Sequence, residues 1–441
     1  MVASKVSFHT LGCKLNFSET SVVAKQFTDA GFSVVNYKED SDVFVLNTCT
    51  VTENAERECR QLIRRKLRQN PNTFVIVTGC YAQLRAEQIS RIHGVDAVLG
   101  SNEKFKMLNY FDDFNKKELS CIHVSPTEEL NKFSSAFSTE AMGRTRAYFK
   151  IQDGCDYKCS FCTIPIARGN SRSMEPDAVI SQFKNLLNSG YKEIILTGVN
   201  VGDYGKNVEN DFYSLLRRML NVDGDYRIRI SSIEPNLLTD DILKLARDNE
   251  KLCNHFHIPL QSGSAEILKL MQRRYTNQYY RELILKANEL IPNLGVGVDV
   301  IVGFPGETEE LFLETYNFLK DLQISYLHVF TYSERPDTKA ISMSGQVDVA
   351  IRKERNNMLR ILSEKKKNLF YRNNINRVEK ILFESMDAEG NILGWTDNYI
   401  RVKSKSDTEF SNEFVEAKLT TVSNDFCFID NNNLKRLKVA G

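Results

Sequence analysis

The chain has 441 residues, with 58 Lys and Arg against 57 Asp and Glu for a formal charge of +1, and it is 42% apolar and 26% charged. That length accommodates two or three domains with full cores. The charge balance excludes a polybasic chain, so any nucleic-acid surface must be local. No run nears the ~18 unbroken apolar residues of a membrane span, and the start, Met1-Val2-Ala3-Ser4-Lys5, lacks the basic and apolar regions of a signal peptide. A cytoplasmic protein without a membrane partner is therefore expected. The ten cysteines then point to metal or redox chemistry rather than disulfides.

Residues 6–10, 43–47 and 74–78 read as apolar strands, with 97–99 a fourth, and 18–30 and 54–69 carry helical spacing between them. Strand–helix–strand order predicts an open parallel α/β sheet over 1–135. Residues 111–143 are polar and weakly periodic and read as a linker. Over 144–345 six strand candidates, 147–152, 193–197, 227–231, 256–260, 297–302 and 327–332, predict a partial (βα)6 barrel. A helix over 349–373 follows; residues 351–377 hold nine basic and two acidic side chains, a stretch suited to tracking phosphates or to lying as a solvated face or a salt-bridged linker. Residues 57–68 hold six basic residues and one acid. The last segment, 374–441, carries short strands at 379–384, 390–391, 399–403, 414–420 and 426–429, the pattern of a small antiparallel β-barrel. The fold class is thus a multidomain α/β chain.

The densest chemistry lies in Gly154-Cys155-Asp156-Tyr157-Lys158-Cys159-Ser160-Phe161-Cys162. The C-x3-C-x2-C spacing in one loop lets three thiolates face one point, as iron–sulfur binding requires. A four-iron cube normally takes four thiolates and no fourth Cys lies nearby, so one iron is left open. By analogy with zinc, an open position marks a chemical site. A structural zinc would want four ligands, and the loop has no His. Cys13, Cys49 and Cys80 each stand at the carboxyl end of a predicted strand, where the crevice of an open parallel sheet binds ligands. They read as a second three-thiolate cluster, or otherwise as buried core cysteines. Cys59, Cys121, Cys253 and Cys427 fit no such pattern.

The barrel motif, with Phe161 ahead of its last Cys, resembles that of radical S-adenosylmethionine (SAM) enzymes. The resemblance implies a [4Fe-4S] cluster on Cys155, Cys159 and Cys162, SAM chelated to its open iron, and reductive cleavage to a 5′-deoxyadenosyl radical. Leu196-Thr197-Gly198-Val199-Asn200 resembles the stretch that binds the SAM amino group, with the usual Gly-Gly-Glu replaced. By the same resemblance Ser232 and Glu234 fall where ribose contacts are expected, Ile301 on the adenine-packing strand, and Val329 where its backbone bonds adenine. Each is otherwise a barrel strand with a turn glycine.

Thr10-Leu11-Gly12-Cys13-Lys14-Leu15-Asn16, Asn47-Thr48-Cys49-Thr50-Val51-Thr52 and Thr78-Gly79-Cys80-Tyr81-Ala82-Gln83 resemble the N-terminal domain of methylthiotransferases, and the last segment resembles a TRAM RNA-binding domain. That family implies an auxiliary [4Fe-4S] cluster on Cys13, Cys49 and Cys80, a second SAM as methyl donor, and a reducing partner such as flavodoxin or ferredoxin. Within it the segment from Thr10 looks most like the branch acting at C2 of threonylcarbamoyl-modified adenosine beside the tRNA anticodon. The other branches act on isopentenyl-adenosine or a ribosomal-protein aspartate. His257, Gln261 and Arg273 are substrate candidates, and a monomer is expected. The readings from other classes are a two-cluster electron-transfer protein and an RNA-binding module with structural metal.

Overall fold

The computed structural model describes residues 4–49, 53–116, 118–138, 145–387, 389–405, 410–423, 425–430 and 434–436. Thr50-Val51-Thr52, the expected boundary at 144 and the expected limits at 1 and 441 lie outside the described residues.

Strands β1 (Lys5–Thr10), β2 (Ser33–Val35), β3 (Val43–Thr48), β4 (Phe74–Gly79), β5 (Ala97–Leu99) and β6 (Cys121–His123) form a parallel sheet in the order β2-β1-β3-β4-β5-β6. Its helices are α1 (Lys14–Asp29), α2 (Glu53–Gln69) and the short α3 (Cys80–Leu84) and α4 (Ala86–Ser90). The central strands β3 and β4 are buried throughout, because apolar residues of alternating direction feed a core on each face. Phe44, Leu46, Val75 and Val77 enter one, and Val43, Val45, Phe74 and Ile76 the other. The expected linker over 111–143 is corrected in two places. β6 adds a sixth strand, and β7 (Ala136–Phe137) pairs antiparallel with the first barrel strand. Strands of two or three residues are too short to show a period.

The barrel strands are β8 (Arg146–Lys150), β9 (Gln152–Asp153), β10 (Arg172–Ser173), β11 (Glu193–Thr197), β12 (Arg227–Ile230), β13 (His255–His257), β14 (Gly295–Val302) and β15 (Tyr326–Thr331). β8, β11 and β12 run parallel, as do β13, β14 and β15, and a bridge from Ile228 to Leu252 links the two groups. The result is an open six-stranded barrel; β9 and β10 form a short antiparallel pair beside it. Around it run α5 (Ile164–Arg168), α6 (Pro176–Asn188), α7 (Phe212–Leu220), α8 (Asp240–Asp248), α9 (Ala265–Leu270), α10 (Asn277–Leu290) and α11 (Glu309–Asp321). Asp211, Thr239, Thr276 and Thr308 cap four of these helices through their side chains, each satisfying an orphan N–H. Outward residues such as Phe149, Ile194, Ile228 and Val298 build the main core. Strand alternation turns Arg146, Lys150, Glu193, Arg229, His257, Asp299 and His328 inward, so the lumen is polar.

α12 (Val349–Asn373) lies along β15, the open edge. Part of its basic run is engaged within the chain. Arg352 pairs with Glu334 at 2.6 Å, and Arg355 with Glu307 and Glu309 at 3.2 Å, both arginines buried. Lys366 caps the Lys320 and Leu322 carbonyls and Lys367 pairs with Asp425. Lys353, Arg360, Lys365 and Arg372 remain exposed.

The last unit comprises β16 (Val378–Phe383), β17 (Asn391–Thr396), β18 (Arg401–Lys405), β19 (Phe414–Ser423), β20 (Phe426–Ile429) and β21 (Lys435–Arg436). Pairing of β16 with β19 closes a five-stranded barrel, antiparallel except for the parallel pair β18–β20. Its loop after β17 seats under the central barrel. Arg227 Nη2 donates to the Trp395 carbonyl (2.9 Å), and Arg229 to those of Asp397 (2.7 Å) and Thr396 (3.0 Å). Burial alone would push the Glu193 carboxyl up, but Arg227, Arg229 and Arg146 outweigh it and hold it well below the usual range.

Candidate active site

The loop after β8 and β9 carries the barrel thiols. Gly154 opens it at φ +71°, where a Cβ would stand 2.0 Å from the Asn170 carbonyl oxygen, so only glycine permits the turn. Cys155, Cys159 and Cys162 are half-buried and free. The Tyr157 and Ile164 backbone N–H groups donate to Cys155 and Cys162 Sγ, both at 3.4 Å, and Arg273 Nη1 donates to Cys159 Sγ at 3.1 Å. Burial pushes the Cys155 and Cys162 thiols up to about 12, and Cys159 is raised as well. Buried sulfurs that repel one another yet already accept N–H donors form a donor set for a soft cation. Among the described residues no three Cys, His, Asp or Glu side chains surround a single-ion position. A four-iron cube asks for no such point, since each thiolate takes its own iron.

A cavity of about 210 Å³ opens beside Cys162, with Phe161, Gln261, Asp299, Ile301 and Phe330 in its wall. Across the lumen, Asn200 is 3% exposed, and neither its Oδ1 nor its Nδ2 has a partner among the described residues. Leaving a buried polar group unpaired costs about 1–3 kcal/mol. An amino-acid head group carries both the acceptor and the donor that this amide lacks. Gly198 is required here, since its Cβ would stand 2.8 Å from Gln152 Oε1, which accepts the Asn200 N–H at 2.9 Å. Ser232 and Glu234 follow β12, and Glu234 is tied to Arg273.

Val329 turns its side chain to the outer core and its carbonyl accepts from Asn356 Nδ2 at 3.3 Å, while Phe330 and Thr331 line the cavity. Arg273 bonds Cys159, Glu234 and the Tyr275 hydroxyl. His257 and Gln261 do face the lumen, and His257 Nε2 lies 2.8 Å from Asp299 Oδ1.

Cys13, Cys49 and Cys80 follow β1, β3 and β4, which are neighbours in register: Thr10 opposes Asn47, and Thr48 opposes Gly79. The strand order reverses between β1 and β3, so Cys13 and Cys49 flank the switch point of the sheet and Cys80 follows the next strand. Asn16 Nδ2 donates to the Leu11 (2.9 Å) and Thr48 (3.1 Å) carbonyls, and Asn47 Nδ2 to the Asn16 carbonyl (2.9 Å), stapling two of these loops. Cys49 and Cys80 are buried and Cys13 is exposed. Burial nevertheless pushes the Cys13 thiol up, with Cys80 adding to the shift. Cys13 is therefore reached by solvent while surrounded by protein, as in a cleft.

One short helix separates the two sets of thiols. α5 starts just after Cys162 and packs against α3, whose first residue is Cys80. Arg168 at its end donates to Glu19 (3.0 Å), Asp153 (3.0 Å) and Asn16 Oδ1 (2.7 Å). Lys150 joins the same two carboxylates at 3.0 Å, Lys104 pairs with Glu19, and Arg172 with Asp153. Every member is buried. Burial would raise the Glu19 carboxyl, but Arg168, Lys104 and Lys150 prevail and hold it well below its ordinary value. Four cations against two carboxylates leave positive charge beside the Cys13 and Cys80 sulfurs, which favours anionic ligands there. Glu19 and Lys150 fall within a predicted helix and strand, but nothing in those patterns marks either as part of a buried ion network. The available signal is charge inside otherwise apolar strands, at Lys150, Glu193, Arg227 and Arg229.

An open (βα)6 barrel with three thiols after its first strand defines the class, and the model of the Radical SAM superfamily matches residues 149–319. Residues 5–100 match the Uncharacterized protein family UPF0004. The chain is 42% identical to the threonylcarbamoyladenosine tRNA methylthiotransferase MtaB of Bacillus subtilis, over 94% of this chain and 93% of the relative. It is 38% identical to the MtaB of Aquifex aeolicus, over 90% and 96%. Against the tRNA-2-methylthio-N(6)-dimethylallyladenosine synthase of Clostridium botulinum it is 33% identical over 95% of each. The cobalamin- and cluster-bound radical SAM methyltransferase TsrM of Kitasatospora setae shares the fold, with TM-score 0.54 and 15% identity over 77% of each chain. The chain belongs to the radical SAM tRNA methylthiotransferase family, and it is an enzyme that uses SAM at a four-iron cluster.

Proposed function

We propose that this enzyme methylthiolates C2 of a threonylcarbamoyl-modified adenosine in tRNA, with Cys155, Cys159 and Cys162 holding the SAM cluster and Cys13, Cys49 and Cys80 an auxiliary one. The single observation that carries this reading is the packing of α3, which begins at Cys80, against α5, which begins at Ile164 just after Cys162. The choice of base is supported by the relatives' names and by the segment from Thr10 to Asn16. When bound, the clusters and SAM supply the one-electron chemistry, the sulfur and the methyl group.

The chain's own residues bind, orient and shield. Asn200 receives the SAM head group, and Phe161 and Ile301 enclose its adenosine. Arg273 steadies Cys159. The loop over Thr396–Tyr399 closes the far end of the lumen, which keeps water from a reactive site. RNA is met by the exposed Arg57, Arg64, Arg65 and Arg68 of α2 and by the free cations of α12, with the TRAM-like barrel beside them. The enzyme acts as a cytoplasmic monomer with a flavodoxin- or ferredoxin-type reductant; no helix among the described residues is long and apolar enough to cross a membrane.

Mass spectrometry of tRNA nucleosides from cells lacking the protein tests this reading. Threonylcarbamoyladenosine without its methylthio group should accumulate. Loss of the methylthio group from isopentenyl-adenosine alone would overturn it.

A further inference from the structure

A second cavity lies away from both thiol sets, where the start of β15 and the face of α12 meet the last barrel. Its volume is about 420 Å³, against about 210 Å³ for the space beside Cys162, and that size suits a small organic ligand. The start of β15 forms one wall, Phe370 and Tyr371 of α12 the second, and Trp395, Tyr399 and Phe426 of the last barrel the third. Trp395 and Tyr399 already have partners. Their rings stack with centroids 4.3 Å apart, and the Arg401 guanidinium lies 4.6 Å from the indole centre. Phe426 differs. Cys427 and Ile429 of β20 enter the core of the last barrel, and strand alternation turns Phe426 outward. It is half-buried and, among the described residues, packs on no other ring. Phe370 borders the same space from α12 without touching it. A phenyl ring held outside the core of its own domain, at the edge of an open cavity, is stabilised by whatever covers it.

The charges indicate what that is. Inside the cavity they are neutralised, Lys367 by Asp425 and Arg401 by Glu384 at 2.8 Å. At the rim stand two cations without a carboxylate partner among the described residues. Arg360 is exposed one turn before Ser363, a lining residue on the same face of α12, and Lys403 Nζ lies 5.8 Å from the centre of the Phe426 ring. An aromatic floor with a cationic rim suits a nucleotide, with its base inside and its phosphate at the edge. The cavity also adjoins the lumen. His328 lines it, the His328 ring is centred 5.2 Å from that of His257, and His257 lies 2.8 Å from Asp299, which lines the space beside Cys162. Three side chains thus span the two spaces, a distance that neighbouring nucleotides of one strand cover once their bases are splayed apart.

We propose that this cavity is a nucleobase pocket for the nucleotide next to the target adenosine in the tRNA, its base stacked on Phe426 and Phe370 and its phosphate met by Arg360 and Lys403. This rests on the reading that the substrate is a tRNA. Stacking tolerates any base, so the pocket holds the loop in register while the target base enters the lumen.

The test uses the reconstituted full chain and three anticodon stem–loops carrying threonylcarbamoyl-adenosine: one intact, one abasic on the 5′ side of the target and one abasic on its 3′ side. Equilibrium binding is measured beside KM and kcat. One of the two abasic loops should bind wild type about 5- to 150-fold more weakly than the intact loop, the range of one base–aromatic stack. Phe426→Ala should lose about as much on the intact loop and little more on that abasic loop, because both changes remove the same contact. Phe426→Tyr should bind like wild type. Wild type that binds all three loops equally, Phe426→Ala that binds the intact loop as wild type does, losses that add in full on both abasic loops, or equal losses in Phe426→Ala and Phe426→Tyr would each overturn the pocket. Wild type that fails to bind the intact loop would instead overturn the tRNA reading and the pocket with it.

Discussion

A Cβ on Gly12 would stand 2.7 Å from Cys49 Cβ and 2.9 Å from its sulfur. Gly12 also sits at φ +102°, a conformation that a side chain disfavours. This one glycine therefore lets the loop that carries Cys13 close onto Cys49 at the end of β3. Gly12→Ala should push Cys49 away. Iron per chain after anaerobic reconstitution should fall from about eight to about four, the complement of a single cube. An unchanged iron content would show that Cys49 is not held through this contact.

At the scale of elements, α5 and α1 meet through the buried knot of Glu19, Asp153, Arg168, Lys104 and Lys150. Truncating one member of such a network leaves a buried charge unpaired, at a cost of about 3–5 kcal/mol. Glu19→Gln should destabilise the cluster-free protein by that order, read by denaturant unfolding. The pH dependence has a definite sign. The Glu19 carboxyl is held well below its ordinary value of 4.5, so its contribution is complete above about pH 4.5 and is lost as pH falls toward the depressed folded value. The stability gap between wild type and Glu19→Gln should narrow on acidification. A gap that stayed constant from pH 7 to pH 3.5 would contradict the pairing. This knot was not legible in the sequence, because Glu19 and Arg168 are 149 residues apart and nothing local marks them as partners. The six barrel strands were legible because their outward faces are apolar runs. The strand expected over 256–260 is regular only over His255–His257, although beyond it Ile258 and Leu260 still donate backbone N–H groups to the Gly297 and Asp299 carbonyls. The contact of the Arg273 guanidinium with Cys159 is visible only in the fold, because the two residues are 114 positions apart.

For the whole molecule, three units are pinned to one another by buried charge. The Arg168 knot seats the N-terminal sheet on the top of the barrel, and Glu193 with its arginines seats the last barrel beneath it. In the proposed reading the cysteines act as two triads. Their spacing disclosed the barrel triad, because its members share a loop. The other triad was legible only through the rule that parallel strands deliver ligands to their carboxyl ends.

The most direct measurement is iron and labile sulfide in the anaerobically reconstituted full chain, in wild type and in two triple variants. Wild type should hold about eight irons, and replacing either Cys13, Cys49 and Cys80 or Cys155, Cys159 and Cys162 with Ala should leave about four. Wild type with only about four, or a Cys13, Cys49, Cys80 variant that keeps the full complement, would contradict the account.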